Sequence, residues 1–194
     1  MGREERKIQI LKAAVRVFFQ QGFERARIEE IAGAAGIGKG TVYEYFPSKQ
    51  QLFDETMLFA ANIFIQEMKE SMDGAETIKD KIIAFARYQT SFIHKHSPVL
   101  KILCSSQVKA REMGAAILQQ NARLTQLWRE VLQKAKAEKE LKEGLNEELA
   151  AAVIIGTINQ YCNKSVIFQQ ENPETILYEE VADMIFHGIN GTSR

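Results

Sequence analysis

Three histidines, two cysteines and one glycine-rich run are the features of this 194-residue chain with a chemical signature. His94 and His96 lie two positions apart, which points them away from one another on a helix and makes them poor joint metal ligands. His187 is isolated. Cys104 and Cys162 could sense an oxidant, although buried thiols are more often structural. Two cysteines cannot build a disulfide framework, which fits a reducing compartment. No Ser–His–Asp arrangement can be placed. The run Gly36-Ile37-Gly38-Lys39-Gly40 has the glycine spacing of a nucleotide loop but lacks the strand that must precede one. The expectation is therefore no enzyme, no cofactor and no metal.

A different pattern occupies residues 28–46. Two short helices flank a turn at Gly36. A helix-turn-helix needs a small residue where its helices cross, which Ala32 supplies. It needs a turn residue that tolerates a left-handed backbone, which Gly36 supplies. It needs apolar pegs on the second helix, and Val42 and Tyr45 are spaced to face Ile31 and Ala35. Lys39–Tyr45 would then be the helix that enters a major groove. A plain helical hairpin inside a bundle has the same spacing, so these positions alone leave both readings open. Charge is divided along the chain. Residues 1–50 hold nine Lys/Arg and six Asp/Glu, a net of +3, and residues 51–194 a net of −3. A basic head on a slightly acidic body suits a DNA-contacting module on a larger domain, and a difference this small also arises by chance.

The elements that must position these residues read as helical throughout. Three prolines and 45% hydrophobic residues disfavour a many-turned β-fold. Ile8, Leu11, Val15 and Phe18 mark the face of a first helix that stops at Gly22. Ile28–Ala35 and Lys39–Tyr45 follow, and Pro47 ends the latter. Ser48 caps a helix from Lys49 to about Met72, with Gln51 placed as in a capping box. That helix carries two apolar stripes and is suited to join head to body. Another opens near Thr77 with Ile78, Ile82, Phe85 and Phe92 inward. A break is predicted at His96-Ser97-Pro98, then a short helix to Ser105 and a long one from about Lys109 to Glu138. Asn146 caps a helix through about Gln169. Asn172-Pro173 starts a last helix, Glu174 to His187, with Leu177, Val181 and Met184 inward. The boundary near Pro47 divides the chain into 1–47 and 48–194. No apolar run reaches the ~18 residues of a membrane span, and no leader opens the chain, so a cytoplasmic protein without a membrane partner is expected.

The run from Ile31 through Lys39-Gly40-Thr41-Val42-Tyr43-Glu44-Tyr45-Phe46-Pro47-Ser48-Lys49 to Leu52, with Ala13, Val15, Phe18, Gly22 and Phe23 upstream, resembles the tetracycline-repressor (TetR) family of bacterial transcription factors. The resemblance is specific over about residues 8–55. It implies an all-α protein with a three-helix DNA-binding head and a six-helix ligand-binding and dimerisation body. It also implies a homodimer on a palindromic duplex operator, released by a small-molecule effector. Thr41 and Tyr43 look like the recognition helix's backbone and groove contacts, and Lys49 like a phosphate contact at the start of the fourth helix. Lys39 and Gly40 open the recognition helix, where free N–H groups favour phosphate. Two positions depart from the family. Arg27 stands where Ser or Thr is usual, giving up an N-cap worth about 0.5–2 kcal/mol; it is either a phosphate contact or the site of a frayed first turn. Gly38 stands where Ser is frequent.

The body's candidates are Phe64, Met68, Phe85, Tyr88, Phe92, Leu103, Met113, Ile117, Leu124 and Trp128, bulky enough to line a pocket or simply to fill a core. Gln120 and Asn121 fall on the same stripe, where an amide needs a partner, from a ligand or from another helix. Ala152 and Gly156 form a small-xxx-small step that, with Leu177, Val181 and Met184, suits a two-helix dimer interface. An apolar effector with one or two polar groups follows. The alternatives are a DNA-binding regulator whose input is a protein partner or oxidation of Cys104 or Cys162, or a helical enzyme or lipid carrier that does not bind DNA.

Overall fold

The computed structural model describes residues 2–105, 107–168 and 172–188, without the side chains of 97–117, 119, 162, 163, 167 and 168. Leu103, Cys104, Met113, Ile117, Cys162 and Gln169 therefore fall outside what can be placed. Eight α-helices run in order: α1 (Arg3–Arg25), α2 (Ile28–Ala34), α3 (Lys39–Tyr45), α4 (Lys49–Asp73), α5 (Ile78–Ser105), α6 (Gln107–Ala137), α7 (Glu147–Cys162) and α8 (Tyr178–His187). A π-helical turn, Asn163–Phe168, extends α7, and a 3-10 turn, Pro173–Thr175, precedes α8. Among the described residues there is no strand, and no helix is long and apolar enough to cross a membrane.

The helix ends follow local chemistry. Within α1 the backbone leaves helical geometry at Gly22, whose φ of 77° suits glycine. Gln51 N–H donates to Ser48 Oγ at 3.1 Å, the expected cap of α4. The Gln51 side chain reaches forward to Glu55 rather than back, so the capping box is only half made. Thr77 and Asp80 make the full reciprocal box at α5: Asp80 N–H donates to Thr77 Oγ1 at 3.1 Å, and Thr77 N–H donates to Asp80 Oδ2 at 3.3 Å. Leu149 N–H donates to Asn146 Oδ1 at 3.0 Å and so caps α7.

Several sequence expectations are corrected. The buried face of α1 is Ile10, Leu11, Ala13, Ala14, Val17 and Phe18, while Ile8 and Val15 are half-buried. Three adjacent pairs share the core side, a wider stripe than single-residue stepping implies. The predicted break at His96-Ser97-Pro98 is absent: α5 runs on to Ser105. One proline costs a helix interior about 3 kcal/mol, which the rest of a 28-residue helix can offset. Asn172-Pro173 starts a 3-10 turn, with Asn172 Oδ1 accepting from Glu174 N–H at 3.1 Å, and α8 begins only at Tyr178. Leu177 and Met184 are then exposed rather than inward, and Ile176, Tyr178 and Ala182 take the buried positions. Asn121 is exposed too, while Gln120 is half-buried. Periodicity assigns a helix face, but a neighbouring element decides how far along that face is covered.

Two compact units emerge, and α4, α5 and α6 each run from one into the other. The first is Met1–Phe64 with Pro98–Ile117. Its core gathers Ile10, Phe18, Ile31, Val42, Phe46, Leu52 and Phe53. Phe18, Phe23 and Phe53 meet pairwise at 5.0–6.2 Å between ring centres, contacts worth about 0.5–1.5 kcal/mol each beyond their burial. The second is Ile65–Ser97 with Leu118–Arg194. Phe85 and Trp128, both fully buried, meet edge to face at 5.4 Å, and Met68, Ile78, Ile82, Leu124, Leu132 and Ile158 of this unit are buried as well.

Candidate nucleic-acid interface

The interface begins with how α2 ends. Gly36 takes φ 65° after Ala35. The Ile37 N–H then donates to the Ala32 carbonyl at 3.0 Å, and the Gly36 N–H to the Gly33 carbonyl at 3.0 Å, a left-handed cap that closes the helix. Two α1 side chains bind the remaining carbonyls. Gln9 Nε2 donates to Ala35 O at 2.7 Å, and an Arg16 guanidinium N–H to Ala34 O at 3.4 Å. Ala32 is buried at the crossing, Val42 is fully buried, and Tyr45 packs half-buried on the same core. The turn is thereby held from two sides, and α3 has one face anchored.

The other face of α3 is open. Lys39, Gly40 and Glu44 are exposed, Tyr43 is 42% exposed, and Thr41 is half-buried. Gly38 precedes the helix without a side-chain cap. The N–H groups of the first turn therefore lack a capping side chain and are free for an anion. Lys39 Nζ lies 2.6 Å from Glu29 Oε1 and 5.8 Å from the centre of the Tyr43 ring. The hydrogen bond holds the Glu29 carboxyl below its usual range and raises Lys39, so both stay charged at neutral pH.

Lys49 is more constrained than its expected role implies. Its Nζ donates to the Glu24 carbonyl at 3.1 Å and lies 4.7 Å over the Phe23 ring, tying the end of α1 to the start of α4. Arg27 is exposed, and its guanidinium forms no hydrogen bond or ion pair among the described residues. The first turn of α2 does not depend on an Arg27 side-chain cap, because Glu30 reaches back and accepts from the Arg27 N–H at 3.1 Å. The sequence reading missed that half-box, although Glu three residues after position 27 is its signal.

In the second unit, Met68, Phe85, Leu124 and Trp128 are each buried, and Phe85 packs on Trp128. Tyr88 donates to Glu67 at 2.8 Å; burial and then that bond push its phenol up. Phe92 lies against Tyr88 and, at 4.6 Å, against His96, whose imidazole burial pushes down. Three buried polar atoms lack a hydrogen-bond partner among the described residues: Trp128 Nε1, Gln89 Oε1 and Asn159 Oδ1. Gln89 and Asn159 escaped the sequence reading, although Gln89, four residues after Phe85, shares its helix face and was a signal of the same kind as Gln120. On α7 and α8, Ala152, Gly156, Leu177 and Met184 are exposed and Val181 is half-buried.

An anchored two-helix unit whose second helix shows an exposed ammonium and an exposed phenol is a helix-turn-helix, and this chain is a DNA-binding transcriptional regulator. Residues 10–56 match the family described as bacterial regulatory proteins, tetR family. These residues carry the likeness to the TetR family. It is 26% identical over 191 residues to the fatty acid metabolism regulator protein of Bacillus subtilis, covering 94% of this chain and 95% of that one. Its fold is similar to that of the Bacillus subtilis regulator FadR in complex with stearoyl-CoA (TM-score 0.64, 25% identity, 94% and 99% of the two chains). It is also similar in fold to a TetR-family regulator from Mesorhizobium loti (TM-score 0.76, 21% identity, 96% of each chain).

Proposed function

We propose that this protein is a homodimeric repressor that binds a palindromic operator through residues 1–47 and is released from it by a long-chain acyl thioester bound to residues 48–194. The observation that carries the DNA half is α3, whose buried Val42 leaves Lys39, Gly40 and Tyr43 facing outward. Arg27, Lys39, Gly40, Thr41, Tyr43 and Lys49 are its proposed contacts, mostly to phosphate. A two-fold dimer would set two such helices roughly 34 Å apart, or a multiple of that.

The thioester class is supported by the Bacillus subtilis neighbour, which carries stearoyl-CoA, at 25% identity over nearly the whole chain. An acyl chain needs apolar walls. Phe64, Met68, Phe85, Tyr88, Phe92, Leu124 and Trp128 are proposed to supply them, with Leu103, Met113 and Ile117 as further candidates from the sequence. The effector's polar end would use Gln120 or Asn121. The Trp128 N–H is a donor suited to a thioester carbonyl, and the Gln89 carbonyl oxygen, one turn from Phe85 on α5, is an acceptor suited to an amide N–H of the coenzyme A arm. Because α4 is one helix from Lys49 to Asp73, displacement of its second half would reach the DNA-proximal end.

The test is operator affinity, by fluorescence anisotropy on a duplex selected from random sequences. Stearoyl-CoA, stearate and coenzyme A are each titrated. Release by stearoyl-CoA but not by coenzyme A is expected. Release by none of the three, with binding to DNA intact, overturns the effector reading and leaves the DNA reading standing.

A further inference from the structure

The cation that opens the recognition helix is already occupied. Lys39 Nζ lies 2.6 Å from Glu29 Oε1, on α2, with the two side chains 50% and 58% exposed. That is the short charge-assisted N–H···O geometry a phosphate oxygen would offer. Glu29 is not needed there as a helix cap, since Glu30 binds the Arg27 N–H. An acidic residue in a helix's first turn is favourable without any lysine beside it. Lys39 also lies 5.8 Å from the centre of the Tyr43 ring.

We propose that Glu29 is an in-chain stand-in for a DNA phosphate. In the free protein it pairs with Lys39, and on DNA a backbone phosphate takes its place. Glu29 thereby lowers affinity for duplex DNA of any sequence, holding non-specific occupancy down while base contacts to a true operator are untouched. The inference rests on α3 being the DNA-facing helix.

The full-length protein is titrated onto a fluorescent random-sequence duplex as wild type, Glu29→Gln, Lys39→Gln and the double variant, across a salt series. Both positions are exposed, so all four proteins are expected to melt alike. Glu29→Gln should bind about three- to fivefold tighter, the range an exposed ion pair permits. Lys39→Gln should bind more weakly, with a log-log salt slope smaller by about 0.9. In the double variant the gain from Glu29→Gln should vanish. Equal or weaker binding by Glu29→Gln overturns the proposal and makes Glu29 a positioning residue for Lys39. A gain that survives unreduced without Lys39 overturns it in favour of general repulsion by the carboxylate. Wild type with no affinity for the duplex at low salt would remove the DNA reading, and this inference with it.

Discussion

Gly36 shows how much one residue can carry. Its φ is 65°, and a Cβ built there would meet nothing within 4 Å, so the requirement for glycine is conformational and not steric. Gly36→Ala should cost roughly 1–2 kcal/mol, the penalty for a left-handed residue with a side chain, read as a lower midpoint in urea. An unchanged midpoint would mean that another residue sets the turn. Lys49 poses a choice between two roles. As a phosphate contact, its loss in Lys49→Ala should reduce the log-log salt slope of DNA binding by about 0.9. As the tie to Glu24 and Phe23, its loss should lower thermal stability and leave the slope alone. The proposed site requires the reduced slope.

At the scale of elements, the exposed face of α7 is the clearest case. Gly156 has open space where a side chain would go, and Leu149 and Val153 on the same helix are 62% and 45% exposed. The Cβ of Gly156→Leu meets nothing within 4 Å, and on this exposed face the substitution should leave the protomer folded apart from helix propensity. If α7 and α8 pair with a second copy, the added side chain should separate the subunits. Sedimentation that shows an unchanged dimer would place the interface elsewhere. The start of α5 offers a separate check on the body. Thr77→Ala removes both the acceptor for Asp80 N–H and the hydroxyl bound to Asp80, and should cost about 0.5–2 kcal/mol. DNA affinity per folded molecule should not change.

At the scale of the whole molecule, the proposed coupling of operator and effector is constrained by reciprocity. If stearoyl-CoA weakens operator binding tenfold, about 1.4 kcal/mol, the operator must weaken stearoyl-CoA binding by the same factor. Calorimetric titration of the acyl thioester with and without a saturating operator duplex measures the second leg. Equal affinity in the two titrations, alongside release of DNA, would break that reciprocity and show that the release does not come from thioester bound to this protein. Phe64→Trp and Gln120→Leu should both alter the thioester's effect, and wild-type behaviour in both would move the site to another surface.

The helix-turn-helix of residues 28–46 was legible as one of two readings because it is built from short-range requirements, a small residue at position 32, a positive φ at 36 and a buried peg at 42, and the family resemblance over about residues 8–55 decided between them. Caps at Ser48 and Asn146 were legible for the same reason, since donor and acceptor lie three residues apart. What depends on distant neighbours was not. The continuation of α5 through Pro98 sets one lost hydrogen bond against the rest of a long helix. The outward Leu177, Met184 and Asn121 show that an apolar or polar stripe does not state what covers it. The pairing of Lys39 with Glu29, ten residues away across the turn, exists only because the turn brings α2 and α3 together. Local backbone chemistry is written residue by residue, whereas burial and ion pairing are properties of the surface that tertiary structure leaves beside each side chain.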